Sequence, residues 1–256
     1  MLLKDWIKNS DLSHQESYYL AKNILETEDL SVLLNDFVLN VLNYCKELRM
    51  QNIPLAKIIE KKCFYKETFV TTYDTLDPRP ETEFLIEEVL KFEQKPRTIL
   101  EIGTGTGCII LSLLKELIKS KGIATDICSK AINIAKINAK ILKLNNKIQF
   151  VNTNFADNIT QDVDLIISNP PYIPLDYNLS SETLYDPKIS LFGDINTYIN
   201  LIKSIKVNFK YLVLEVPHYL VEEVALFAQT YYVNSKIKYK EIYNSQIYYF
   251  QITNYF

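Results

Sequence analysis

The sequence predicts an α/β protein: an open, mostly parallel sheet with an antiparallel C-terminal hairpin, preceded by a small N-terminal helical domain. Three observations lead there. From residue 97 onward, short apolar runs alternate with segments of helical period, the pattern of parallel strands joined by crossover helices. Three of the five glycines stand together in LEIGTGTGC, at the end of the first of those runs. The chain then closes on KIKYKEIY and QIYYFQIT, two alternating segments around an Asn-Ser turn, as an antiparallel pair at a sheet edge would.

Taken in order, residues 1–52 read as helices with short polar links. SHQESYYLAKNIL (13–25) and LSVLLNDFVLNVLNYCKELRM (30–50) space their apolar residues three and four apart. Around 54–73 the period shortens, and CFYKETFVTTY alternates as a hairpin or two short strands do. In LDPRPETEFLIEEVLKF, Pro80 suits a first helical turn, and Glu81 and Glu83 lie where the helix dipole favours negative charge. RTILEIG, GIATDI, KIQFVN, VDLIIS and YLVLEV are then five buried strands. Helices are expected over 108–118, through Ala131 to Leu142, near 195–206 and over 218–229. Two domains follow: residues 1–70, helical with a hairpin linker, and residues 71–256, the α/β domain.

Bulk composition narrows the function. The chain is 48% hydrophobic and 23% charged, which suits a globular protein and not a disordered one. No apolar run is long enough to span a membrane, and MLLKDWIKNSDLSH does not read as a signal peptide. Cys45, Cys63, Cys108 and Cys128 form no CxxC pair, so neither a disulfide framework nor a zinc site is expected; a cytoplasmic setting is. A net charge of −3 argues against a long nucleic-acid interface and for a protein or small-molecule substrate. His14 and His218 belong to no recognisable motif.

The glycine loop comes next. Gly103, Gly105 and Gly107, with Thr104 and Thr106 between them, lie between a strand and a helix. Alternate glycines let the backbone turn sharply and let a ligand approach it. The spacing G-x-G-x-G differs from the dinucleotide loop, and no Lys-Ser or Lys-Thr follows, so a cofactor without phosphates fits better. Asp126, at the end of the second strand, is placed to accept hydrogen bonds from ribose hydroxyls.

The fourth strand ends in an unusual knot, SNPPYIP (168–174). Its prolines cannot donate to a ladder, so the tip is stiff. E-I-G-T-G-T-G with a strand-end acid resembles the Rossmann-like S-adenosylmethionine-dependent methyltransferases. N-P-P-Y resembles the subset that methylates nitrogens in planar, conjugated groups, which includes adenine methyltransferases of DNA or RNA and protein-glutamine methyltransferases. In such a site the Asn169 side-chain oxygen and the Pro170 carbonyl hold the two N–H groups, Pro171 adds stiffness, and Tyr172 offers a flat wall. No strong general base is needed before attack, because the sulfonium charge disappears during transfer.

PRPETE (78–83), the glycine loop, ATDIC, SNPPYIP and YDPKISLFGD together resemble the HemK/PrmC family of release-factor glutamine methyltransferases, over nearly the whole chain. The resemblance implies methylation of the Gly-Gly-Gln glutamine of class I peptide chain release factors; a monomer that binds no membrane and no nucleic acid directly is expected. It implies that Gly103, Thr104, Gly105, Thr106 and Gly107 cradle the methionine end of S-adenosylmethionine and that Asp126 holds its ribose. Phe155, where the family often has Trp, would flank the adenine. Asn169 would border both ligands, Asn169, Pro170, Pro171 and Tyr172 would grip the glutamine, and the N-terminal helices would recognise the release factor. Glu60 and Lys66 stand where the family commonly has glycine, and FGDINTY lacks a second glycine usual there.

Overall fold

The computed structural model describes residues 1–254, which divide into two compact units. The first comprises Met1–Lys61 with Asn178–Tyr185, and the second Lys62–Tyr177 with Asp186 onward. The division therefore falls at Lys61–Lys62, ahead of the boundary expected at residue 70, and a piece of the later loop joins the helices.

In the first unit, α1 (Leu3–Lys8), α2 (His14–Leu25), α3 (Asp36–Met50) and α4 (Leu55–Ile59) close over Leu3, Trp6, Ile7, Ala21, Leu34 and Leu42. Ser13 and Glu16 form a reciprocal cap at the start of α2. Helix α3 begins six residues later than its period suggested. Asn35 accepts from the Val38 N–H at 2.9 Å and caps it, and Leu33 instead bridges Leu2 in extended backbone. Helix α4 escaped the sequence pattern because it is only five residues long; it ends at Glu60, in left-handed conformation with φ 52°. That is a position where glycine is less strained. Arg49 pairs with Glu16 at 2.7 Å and with Glu182 at 2.6 Å, which ties the 178–185 segment to these helices.

The second unit opens with the hairpin β1 (Lys61–Phe64) and β2 (Glu67–Val70). A 3-10 turn at Pro80–Thr82 leads into α5 (Glu83–Leu90), with Pro80 in the first turn as expected. There follow β3 (Thr98–Ile102), α6 (Cys108–Glu116), β4 (Lys121–Asp126), α7 (Ser129–Ile141), β5 (Ile148–Asn152) and β6 (Val163–Ser168). Then come α8 (Lys188–Leu191), α9 (Ile195–Ser204), β7 (Phe209–Pro217), α10 (Val221–Tyr231), β8 (Ser235–Glu241) and β9 (Ile247–Asn254).

The seven-stranded sheet runs β5-β4-β3-β6-β7-β9-β8. Strands β3 to β7 pair in parallel, while β9 is antiparallel to both β7 and β8. Both faces are covered, as a parallel sheet requires. Ile99, Leu165 and Val213 face a core with residues of α5, α6 and α7; Leu100, Ile166 and Leu212 face another with residues of α9 and α10. Only β8 is an edge strand of the terminal pair. β9 is inserted beside β7, and its middle four residues, Tyr249 to Ile252, are all buried. The strand order reverses between β3 and β6, and the carboxyl ends of those two strands are where a doubly wound sheet opens a crevice.

Candidate active site

Gly103, Gly105 and Gly107 all adopt positive φ (71°, 53° and 80°), so the sharp turn after β3 depends on them. A Cβ at Gly103 or Gly105 would meet nothing within 4 Å, because this backbone faces open space. Gly107 is different: it precedes α6 and packs on Leu111 and Ala135. Asp126, at the end of β4, holds the loop from beside it. One carboxylate oxygen accepts from the Gly105 N–H at 2.9 Å and the other from the Cys128 N–H at 2.8 Å. Each oxygen keeps a lone pair for a further donor. Burial raises the Asp126 pKa, opposed by those backbone N–H groups.

Beneath the loop lies Glu101, 1% exposed. The Thr104 hydroxyl donates to it, and burial, with a smaller push from Asp126, lifts its pKa to about 8. Thr104 and Thr106 are themselves buried, so both side chains shape the loop from within.

The β6 tip is fixed by other means. Asn169 Nδ2 donates to the Thr82 hydroxyl at 3.0 Å, and that hydroxyl donates to Glu215 Oε2 at 2.6 Å. Tyr172 donates to Glu215 Oε1 at 3.4 Å, and Tyr198 donates to the Glu215 carbonyl at 3.0 Å. Glu215, on β7, is 1% exposed, and burial raises its pKa to about 7. Burial also pushes the Tyr172 phenol upward. Gly193 packs so closely on the tip that a Cβ there would run into the Pro171 carbonyl. Two sequence motifs meet here as well: Asp186 accepts from the Asp77 N–H at 3.2 Å and from Arg79 Nη2 at 2.6 Å, joining PRPETE to the YDPKIS stretch.

Loop and tip border one cleft that opens to solvent. Of the residues singled out in the sequence, Gly103, Gly105, Asp126, Phe155, Asn169, Pro170 and Pro171 line it. Thr104, Thr106, Gly107 and Tyr172 do not. The Tyr172 ring packs against the core beside β7 instead of walling the cleft. Sequence reading missed Thr82, Glu101 and Glu215, which support the lining without joining it; the only available signal was an acid in an otherwise apolar strand, in TILEI and YLVLEV. Neither Asn169 Oδ1 nor the Pro170 carbonyl accepts a hydrogen bond from another described residue.

Comparison with known proteins agrees with this geometry. The family model described as the methyltransferase small domain matches residues 63–177. A release factor glutamine methyltransferase of Buchnera aphidicola subsp. Baizongia pistaciae (strain Bp) is 32% identical over 230 residues, 83% of each chain. A protein of the same description from Cereibacter sphaeroides is 40% identical over 141 residues, 54% of this chain and 50% of its own. Among solved structures, the hMettl16 catalytic domain in complex with MAT2A 3'UTR hairpin 6 shares the fold at a TM-score of 0.58, with 15% identity, covering 89% of this chain and 85% of that one. Sheet order, positive-φ glycine loop and strand-end acid define an S-adenosylmethionine-dependent methyltransferase. The residues present fit that cofactor: open backbone at Gly103 and Gly105, with a half-satisfied carboxylate beside them. Within that class, the chain belongs to the release factor glutamine methyltransferase family. No helix among the described residues is long and apolar enough to cross a membrane.

Proposed function

We propose that this enzyme methylates the side-chain amide nitrogen of the glutamine in the Gly-Gly-Gln motif of class I peptide chain release factors. The supporting observation is the pair of uncommitted acceptors at the tip, Asn169 Oδ1 and the Pro170 carbonyl, bordering the same cleft as the glycine loop and Asp126. An amide nitrogen is a poor nucleophile because its lone pair is delocalised into the carbonyl. Two fixed acceptors that engage both N–H groups turn that lone pair toward the methyl donor. Aiming of this kind draws on the roughly 7–11 kcal/mol available to well-oriented reactants.

S-adenosylmethionine supplies a methyl group on a positively charged sulfur. Gly103 and Gly105 would allow its close approach to the main chain, Asp126 would accept from its ribose hydroxyls, and Phe155 would offer a face to its adenine. The cofactor would supply the methyl group, its sulfur keeping the electrons of the broken sulfur–carbon bond, while the amide nitrogen held by Asn169 and Pro170 would lose one proton to water. Asn169 and Pro170 hold the substrate nitrogen throughout. The N-terminal helices recognise the folded release factor, and the enzyme works in the cytoplasm as a monomer without binding nucleic acid directly.

Incubation with a class I release factor and labelled S-adenosylmethionine, followed by mass spectrometry of the peptides, tests the reading. One methyl group on the Gly-Gly-Gln glutamine is expected. Label confined to nucleic acid overturns it.

A further inference from the structure

We propose that Thr82 and Glu215 are positioning residues that set which way the Asn169 amide faces, and so make its oxygen the group presented to the substrate. This rests on the reading of the reaction above. Neither residue lines the cleft. The case is one of proton counting. A threonine hydroxyl has a single proton, and Thr82 gives it to Glu215 Oε2 at 2.6 Å. Only its lone pairs then remain for Asn169 at 3.0 Å, so Asn169 must offer its NH2 group there. With NH2 turned inward, Oδ1 is left for the cleft. Glu215 Oε2 accepts at the inner end, which gives the chain Asn169 to Thr82 to Glu215 one direction.

The direction matters to the chemistry. A glutamine amide presents two N–H donors. Were Asn169 reversed, its own N–H groups would meet them, donor against donor, and only the Pro170 carbonyl would be left to hold the nitrogen. The three residues come from separate parts of the chain: the 3-10 turn before α5, the end of β6, and β7. β7 is anchored further by the Tyr198 hydroxyl, which donates to the Glu215 carbonyl at 3.0 Å. Placing a buried carboxylate there costs desolvation, which its hydrogen bonds partly offset. A tip that needed only packing would be served as well by an apolar residue.

Thr82→Val keeps the shape and removes the hydroxyl. In this variant kcat for release-factor methylation is expected to fall by about tenfold to a hundredfold, the scale of a misplaced reacting group. Binding of S-adenosylmethionine, measured by calorimetry, is expected to stay unchanged, and Thr82→Ser should restore turnover. In an Asn169→Ala background Thr82→Val should have no further effect, because its route runs through Asn169. Glu215→Gln covers the case of Thr82→Val failing to fold. It keeps the shape, but its amide can donate as well as accept, so the direction is no longer imposed, and kcat should again fall with cofactor affinity retained. Full kcat in the single variants, or an equal loss on top of Asn169→Ala, overturns the inference. A wild-type enzyme that fails to methylate release factor overturns the reading of the reaction instead, so the two failures are distinct.

Discussion

The loop after β3 and the tip after β6 end adjacent strands, yet they reach rigidity by opposite routes. The loop is built of residues with the greatest backbone freedom, three glycines at positive φ, and is locked from outside by Asp126. The tip is built of residues with the least, two prolines, and needs anchoring only at its ends, by Thr82 behind Asn169 and by Gly193 against Pro171. Each rests on a buried acid that accepts from a threonine hydroxyl: Glu101 from Thr104, and Glu215 from Thr82. The contrast follows from what each must offer. Glycine exposes main chain to a ligand lying against it, while proline withdraws N–H groups and leaves acceptors standing. The loop therefore suits a cofactor held along its length, and the tip suits a substrate held by two N–H groups.

If this division holds, damage to the tip should spare cofactor binding, and damage at the loop should not. Asn169→Ala is expected to have the largest effect, a loss of about 2.7–4 kcal/mol in transition-state stabilisation by comparison with other lost aiming groups. Calorimetry should find cofactor affinity near that of the wild type, and comparable losses in affinity and kcat would erase the distinction. Asp126→Asn should do the reverse. It replaces an acceptor-only carboxylate, and cofactor affinity should weaken by about 1.5–3 kcal/mol, the scale of a hydrogen bond to a charged group. An unchanged dissociation constant would remove Asp126 from the site.

Gly193→Ala should destabilise the fold by about 1–3 kcal/mol, the usual cost of overpacking, and lower kcat by displacing the Pro171 carbonyl. Thermal unfolding beside a turnover assay checks both. The gentlest change is the response to pH. Burial raises the folded pKa of Glu215 from 4.5 to about 7 and that of Glu101 from 4.5 to about 8. The unfolded carboxyl sheds its proton first, so stability falls as pH rises above 4.5 and levels off above about 7 for Glu215 and about 8 for Glu101. Each carboxyl contributes at most about 1.4 kcal/mol per pH unit. Denaturant titrations from pH 5 to 8 should show a shallower decline in Glu215→Gln and Glu101→Gln than in the wild type.

Much of the fold was legible because parallel strands buried on both faces leave short, mostly apolar runs, such as TILEI and DLIIS, set between helical periods. The cleft was legible for a related reason: scarce glycines and paired prolines mark the two strand ends where backbone geometry is exceptional. What stayed hidden was either short or distant. Helix α4 has too few residues to declare a period, and the apolar stretch before Asn35 looked helical while being held extended by the chain's first residues. Thr104 and Thr106 stand in the loop motif, but their side chains turn inward, which spacing alone does not reveal. The link from Asn169 through Thr82 to Glu215 joins residues from three separate elements, and no local pattern announces it.

The most direct measurement is a crystal structure of the enzyme with S-adenosylhomocysteine and a peptide carrying the Gly-Gly-Gln sequence. The glutamine nitrogen is expected within hydrogen-bonding distance of both Asn169 Oδ1 and the Pro170 carbonyl, on the side facing the sulfur. A glutamine seated elsewhere, or an Asn169 amide turned with its nitrogen toward the peptide, would contradict the division of labour between loop and tip.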